Sequence, residues 1–229
     1  YLQENQGWEF MLINAWRANR HLSLIGCPHS TLRFWDLRYF YDERAYKSDL
    51  PRPNLVAVNG PLMLQNYLGS GYPETDLIEV EALRYDYLNA SEDARFFHLR
   101  KQINRMEKSV VSILILGEIS SQNTVKQLTA LNNVAVLSNS TFNYTFRQHP
   151  NTPVDLTKFP ALQFKPQNAE LACDLANCNV VYCGSVTSGA VDAVCFGLEV
   201  ICWLEAGLNL SPLRSSNYAK FVRSESELL

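Results

Sequence analysis

Apolar residues recur at the helical period close to the start of the chain. Trp8, Met11, Leu12, Ala15 and Trp16 stand at i, i+3, i+4, i+7 and i+8, which predicts a helix over 7–18 with one apolar face. Residues 22–27 read as a short buried strand and 55–58 as another. Asn59-Gly60 ends the second, and a helix follows from about Pro61, where proline suits a first turn. Gly71-Tyr72-Pro73 breaks that helix ahead of a strand at 78–81. Residues 31–53 are aromatic-rich and irregular, and Pro51 and Pro53 argue for loop. Further on, Val110-Val111-Ser112-Ile113-Leu114-Ile115-Leu116-Gly117 is the unbroken apolar run of a strand covered on both faces in a parallel sheet. Helix signals follow over 121–131, then strands near 134–137, 142–147, 161–164, 180–183 and 199–204.

Strands of this length alternating with helices predict an α/β protein with a doubly wound, Rossmann-type C-terminal domain. The charged stretch 91–108, with Arg95-Phe96-Phe97-His98-Leu99-Arg100-Lys101 as helix or linker, separates it from a first α/β domain. The expected domains are 1–95, part of a second Rossmann-like fold, and 96–229, complete. The chain opens at Tyr1 without a secretory signal and reads as a piece of a longer protein.

Bulk properties narrow the function classes. The 229 residues are 47% hydrophobic and 19% charged, as in an ordinary globule, and a net charge of -3 supplies no basic footprint for nucleic acid. No apolar run approaches the ~18 residues of a membrane span. The six cysteines sit mostly in apolar patterns, form no Cys-x-x-Cys pair and have no histidine at zinc-ligand spacing. Buried thiols in a reducing cytoplasm are the expectation. There is no Asp-x-Asp, carboxylate cluster or histidine pair, so neither a metal nor a cofactor is expected.

The candidate chemistry is concentrated between Phe146 and Trp203. Val180-Val181-Tyr182-Cys183-Gly184 runs into Ser185-Val186-Thr187-Ser188-Gly189, and a short helix is expected next. Such a turn aims backbone N–H groups and hydroxyls at the space above a sheet, where a phosphate is favoured by a helix N-terminus. Ser188 and Asp192 are four apart and share a helix face, which sets the carboxylate to accept ribose hydroxyls. A capped helix with a solvated aspartate explains the same residues. His149, before Pro150, ends an earlier strand and reaches the same crevice if ligands gather beyond the carboxyl ends of strands; a surface histidine is the plain alternative. Gly117-Glu118-Ile119-Ser120-Ser121 permits close backbone approach at Gly117, with Ser120 either on a phosphate or capping the next helix. It is not a Gly-x-Gly-x-x-Gly fingerprint, which disfavours a dehydrogenase.

Taken in order, Phe146-Arg147-Gln148-His149-Pro150, the Ser/Thr turn at 185–189, Tyr1-Leu2-Gln3-Glu4-Asn5-Gln6-Gly7-Trp8-Glu9, Leu24-Ile25-Gly26-Cys27-Pro28-His29-Ser30 and Ala82-Leu83-Arg84-Tyr85 resemble bacterial surface-carbohydrate biosynthesis proteins. These are glycosyltransferases of the GT-B type that use CMP-sugars or CDP-polyols. The resemblance implies a GT-B-like fold, with 1–95 on the acceptor side and 96–229 binding the nucleotide-sugar donor. It implies that His149, Gly117, Ser120, Ser185, Thr187, Ser188, Gly189 and Asp192 hold the nucleotide, and that Arg84 contacts donor or acceptor, although a salt-bridged surface arginine reads equally well.

For the base that takes the acceptor proton, His29 stands after a strand as the histidine of the CDP-polyol polymerases does. Glu4 competes, as the carboxylate of bacterial sialyltransferases, but their acidic-acidic-Gly motif is not reproduced here. The resemblance further implies a glycan or lipid-linked acceptor, a role in lipopolysaccharide, O-antigen or capsule assembly, and a cytoplasmic location with room for peripheral contact at the inner membrane. The rivals are a nucleotide-sugar epimerase of the 2-epimerase type and a non-catalytic nucleotide-sugar-binding protein.

Overall fold

The structure is a computed structural model that describes residues 1–4, 6–19, 22–28, 31, 40–42, 44, 51–90, 110–138, 141–167 and 170–229. It divides into two compact units, Tyr1–Arg84 and Tyr85–Leu229. The expected boundary at 95/96, the 95–101 segment, His29 and the aromatics Phe34, Trp35 and Tyr39 lie outside the described residues.

In the first unit, β1 (Leu2–Gln3), β2 (Ile25–Pro28), β3 (Leu55–Val58) and β4 (Leu77–Glu79) form a parallel sheet in that order. Helix α1 spans Gly7–Arg17 and α2 spans Pro61–Gly69. Val56 and Val58 pack with Met63, Tyr67 and Tyr72, the last two rings edge-to-face at 5.1 Å. Alternation along β3 and the helical spacing of Met63 and Tyr67 build this core. The apolar face expected of α1 is not the buried one. Glu9 and Ile13 point inward, Leu12 and Trp16 are half-buried, and Trp8 and Met11 are exposed. The reversal follows from the entry turn. Glu9 Oε1 accepts the backbone N–H of Glu4 at 2.7 Å and of Gln6 at 2.8 Å, so the carboxylate is needed beneath the helix start.

The second unit opens with α3 (Tyr87–Ala90) and then β5 (Ser112–Leu116), α4 (Ser121–Leu137), β6 (Asn143–Arg147) and β7 (Phe164–Lys165). It continues with α5 (Leu171–Ala176), β8 (Val180–Gly184), α6 (Gly189–Cys195), β9 (Glu199–Trp203) and β10 (Ala219–Val222). All six strands are parallel, in the order β10-β9-β8-β5-β6-β7. Counted within the unit this is 3-2-1-4-5-6, the doubly wound order, with its switch point between β5 and β8. Ile115, Leu128, Leu131, Tyr144, Phe146 and Tyr182 form the core between α4 and the sheet.

The strand expected at 134–137 is instead the last turn of α4, closed by a 2.9 Å bond from Ser138 N–H to the Val134 carbonyl. Extending an existing helix adds a hydrogen bond per residue fixed, and this outweighs the β preference of Val134 and Val136. No helix among the described residues is long and apolar enough to cross a membrane.

Candidate functional site

At the switch point the chain leaves β5 and β8 in opposite directions, and the residues singled out around 117 and 185 meet there. A Cβ on Gly117 would stand 3.3 Å from the backbone nitrogen of His149, so glycine lets the ends of β5 and β6 close together. His149 is half-buried. Its Nδ1 accepts the Asn151 N–H at 3.3 Å, which places the proton of the neutral ring on Nε2, a donor suited to a phosphate oxygen. Ser120 is the N-cap of α4, its hydroxyl accepting the Asn123 N–H at 3.3 Å.

The turn after β8 supplies the polar groups. Ser185 is buried, and Thr187 Oγ1 is sealed from solvent with no hydrogen-bond partner among the described residues. Ser188 is the N-cap of α6, yet its side chain makes no cap bond. Among the described residues the N–H groups of Ser188 and Gly189 also lack a protein acceptor. The next two, of Ala190 and Val191, bond back to Thr187 and Ser188. Helix α6 has only seven residues, so successive turn N–H groups and hydroxyls, more than a long helix dipole, make this an anion-seeking concavity.

Glu118 was not singled out by sequence and is the organising residue. It is 3% exposed. Oε1 accepts the Val186 N–H at 3.0 Å and Oε2 accepts from Asn123 Nδ2 at 3.1 Å. Its own N–H donates to Thr124 Oγ1 at 2.9 Å, and its carbonyl accepts from Thr152 Oγ1 at 2.9 Å. The carboxylate lies over Gly184, where any Cβ would overlap it. A glycine closing β8 against an acidic residue closing β5 is the one sequence signal that pointed here.

Asp192 is 4% exposed and its Oδ1 accepts the Tyr87 hydroxyl at 2.6 Å, so it is not the solvated aspartate of the plain reading. Beside the His149 loop, a hollow of about 410 Å³ opens at the ends of β6 and β7, walled by Phe146 and Phe164 with Gln148 and Lys165. The two rings pack against each other, centroids 5.9 Å apart and tilted by 54°, so they form one aromatic wall with polar groups at its rim.

The first unit holds the remaining candidates. Glu4 is exposed just after β1, and Arg84 is exposed in the turn Leu83–Tyr85. A larger hollow of about 650 Å³ opens before the amino ends of β2 and β3, between Trp16, Leu24, Arg52 and Asn54, away from Glu4 at the carboxyl end of β1. Arg52 there pairs with Asp76 at 2.9 Å.

No protein-family model matches the sequence, and no curated protein matches it. Solved structures do. MurG of Acinetobacter baumannii superposes with a TM-score of 0.58 at 10% identity, over 100% of this chain and 60% of its own. The UDP-GlcNAc 2-epimerase of Neisseria meningitidis, bound to UDP-GlcNAc, gives 0.55 at 14%, over 95% and 61%. The UDP-GlcNAc 2-epimerase of Methanocaldococcus jannaschii gives 0.53 at 12%, over 92% and 62%. The fold is GT-B-like. At these identities the likeness is one of GT-B-like fold alone, and the chain spans about three-fifths of the length of these structures.

Proposed function

We propose that the Tyr85–Leu229 unit binds the nucleotide of an activated sugar, and that the whole protein is a glycosyltransferase of bacterial surface polysaccharide assembly. The observation that carries this reading is the set of unpartnered groups at Thr187 Oγ1 and the N–H of Ser188 and Gly189, beside the switch point of a doubly wound sheet. Donor phosphate oxygens accept from those groups, from Ser188 and from His149 Nε2. The ribose hydroxyls donate to Asp192, and the nucleobase lies in the hollow beside Phe146, Gln148 and Phe164. A cytidine nucleotide is favoured by the sequence resemblance.

In the transfer step the acceptor hydroxyl oxygen bonds to the anomeric carbon as the bond from that carbon to the phosphate oxygen breaks. The base, His29 with Glu4 as rival, takes the hydroxyl proton, and the 185–189 turn stabilises the charge left on phosphate. Positioning and this stabilisation carry the rate without a metal step. The acceptor is a glycan or lipid-linked sugar of lipopolysaccharide, O-antigen or capsule, reached from the cytoplasmic face of the inner membrane, and Arg84 contacts an anionic substrate group.

A second reading, sugar-nucleotide epimerisation, is favoured by the likeness to a 2-epimerase bound to UDP-GlcNAc. Calorimetry with CMP, CDP, UDP and GDP, followed by donor turnover by the full-length protein with and without acceptor, tests both. Binding of a cytidine nucleotide with acceptor-dependent turnover supports the transferase. UDP binding with acceptor-free isomerisation of the sugar replaces it with the epimerase. Failure of all four nucleotides to bind rejects the site.

A further inference from the structure

Glu118 is a buried carboxylate whose hydrogen-bond partners among the described residues are all neutral. Removing such a group from water costs several kcal/mol unless strong hydrogen bonds replace the lost hydration. Both oxygens have them, from Val186 N–H at 3.0 Å and Asn123 Nδ2 at 3.1 Å, and bonds to an ionised acceptor are the stronger kind. The main chain of the same residue is held by Thr124 and Thr152 hydroxyls, both at 2.9 Å. The carboxylate is therefore fixed from α4 and from the loop after β6, and the one element it holds in return is the turn after β8. A negative charge here does not serve to attract a phosphate. Its geometric effect is on the backbone: it draws the Val186 N–H inward, beneath the turn, while among the described residues the N–H groups of Ser188 and Gly189 have no protein acceptor.

We infer that Glu118 is a positioning residue that anchors the 185–189 turn through Val186 N–H, so that the N–H groups of Ser188 and Gly189 and the Thr187 hydroxyl converge on a nucleotide phosphate. This rests on the nucleotide-binding reading of the same turn. Asn123 can turn its amide oxygen toward a glutamine at 118, so Glu118→Gln preserves the anchor, whereas Glu118→Ala removes it.

The test compares a nucleoside diphosphate with its bare nucleoside by calorimetry, using CDP and cytidine, or UDP and uridine if uridine is the base bound. Glu118→Ala is expected to weaken the diphosphate about tenfold or more, the scale of a lost bond to a charged group, and to leave the nucleoside within about twofold. Glu118→Gln is expected to stay within about threefold of the parent for both ligands. Equal weakening of both ligands by Glu118→Ala, or none, overturns the inference. Should Glu118→Ala not fold, amide hydrogen exchange on the unaltered protein decides. Strong protection of the Val186 N–H beside fast exchange at Ser188 supports the anchor, and exchange at Val186 as fast as at Ser188 overturns it. If the unaltered protein binds no nucleotide, the nucleotide reading fails and the inference falls with it, whereas binding with an unprotected Val186 rejects the anchor alone.

Discussion

The Tyr87 hydroxyl donates to the Asp192 carboxylate at 2.6 Å, joining the first helix of the second unit to the helix that follows the phosphate-facing turn. Asp192 is buried, and the phenol occupies the oxygen that a ribose hydroxyl is proposed to take. Tyr87→Phe removes that internal competitor. Nucleotide affinity measured by calorimetry is expected to rise about 3- to 10-fold, the net scale of one hydrogen bond. A fall in affinity means that Tyr87 holds the carboxylate in place for its ligand and does not compete with it.

His149 follows β6, and Ser188 lies in the turn after β8. Replacing either with Ala is expected to weaken nucleotide binding by about 1–3 kcal/mol, as a bond to a charged oxygen is lost. Unchanged affinity in both variants contradicts the site.

The acceptor-side base is read from turnover of the full-length protein. His29→Ala is expected to lower it by about 10²–10⁴ while donor affinity changes little. Glu4→Gln runs beside it. Loss of turnover in Glu4→Gln with His29→Ala active transfers the role to the carboxylate, and activity in both places the base elsewhere.

Alkaline pH is expected to destabilise the second unit. Burial, aided by the Asp174 carboxylate, pushes the Cys178 thiol up to about 12, and its contact with Cys202 together with burial raises Cys183 well above its ordinary value of 9.0. Burial likewise raises the Tyr182 phenol. Folded, these groups keep protons that the unfolded chain releases. Their contribution is complete below about pH 9 and is lost as pH rises toward 12. Denaturant midpoints should fall between about pH 8.5 and 10.5, and Cys178→Val should flatten the slope. A slope unchanged in that variant removes Cys178 from the account.

Arg147 Nη1 lies 2.9 Å from Asp174 Oδ2, with the aspartate side chain 0% exposed and the arginine 25%. The pair should be asymmetric to mutation. Arg147→Met removes this cation from beside a buried carboxylate and is expected to cost about 3–5 kcal/mol. Asp174→Asn leaves a guanidinium that reaches water and should cost less, as urea midpoints will report.

The sheet of the second unit was legible because β5 is apolar on both faces and each later strand begins after a polar break. Helix α5 was not, since six residues carry too little of a helical period, and β10 lies in a polar tail where Lys220 masks the alternation. At the site, Ser120 reads identically as cap or ligand, and only the Asn123 N–H bond shows it capping. Glu118 escaped notice for a different reason. An acidic residue after a strand ordinarily faces water, and its burial depends on the turn after β8, which local pattern cannot bring near. The α1 face was misjudged because the period locates a stripe without saying which side meets the sheet, and Glu9 decided that through its bonds to the entry turn.

The overlap between Glu118 and the place a Cβ would take on Gly184 makes these two positions a single heritable unit. A lineage that acquires alanine at 184 must first have lost or shortened the acid at 118, and a lineage that restores the acid must first regain the glycine. Only the combination of the acid at 118 with a side chain at 184 is excluded. Among homologues an acid at 118 should therefore occur only beside glycine at 184, and ancestral reconstructions that place alanine at 184 with the acid kept should yield poorly folding protein.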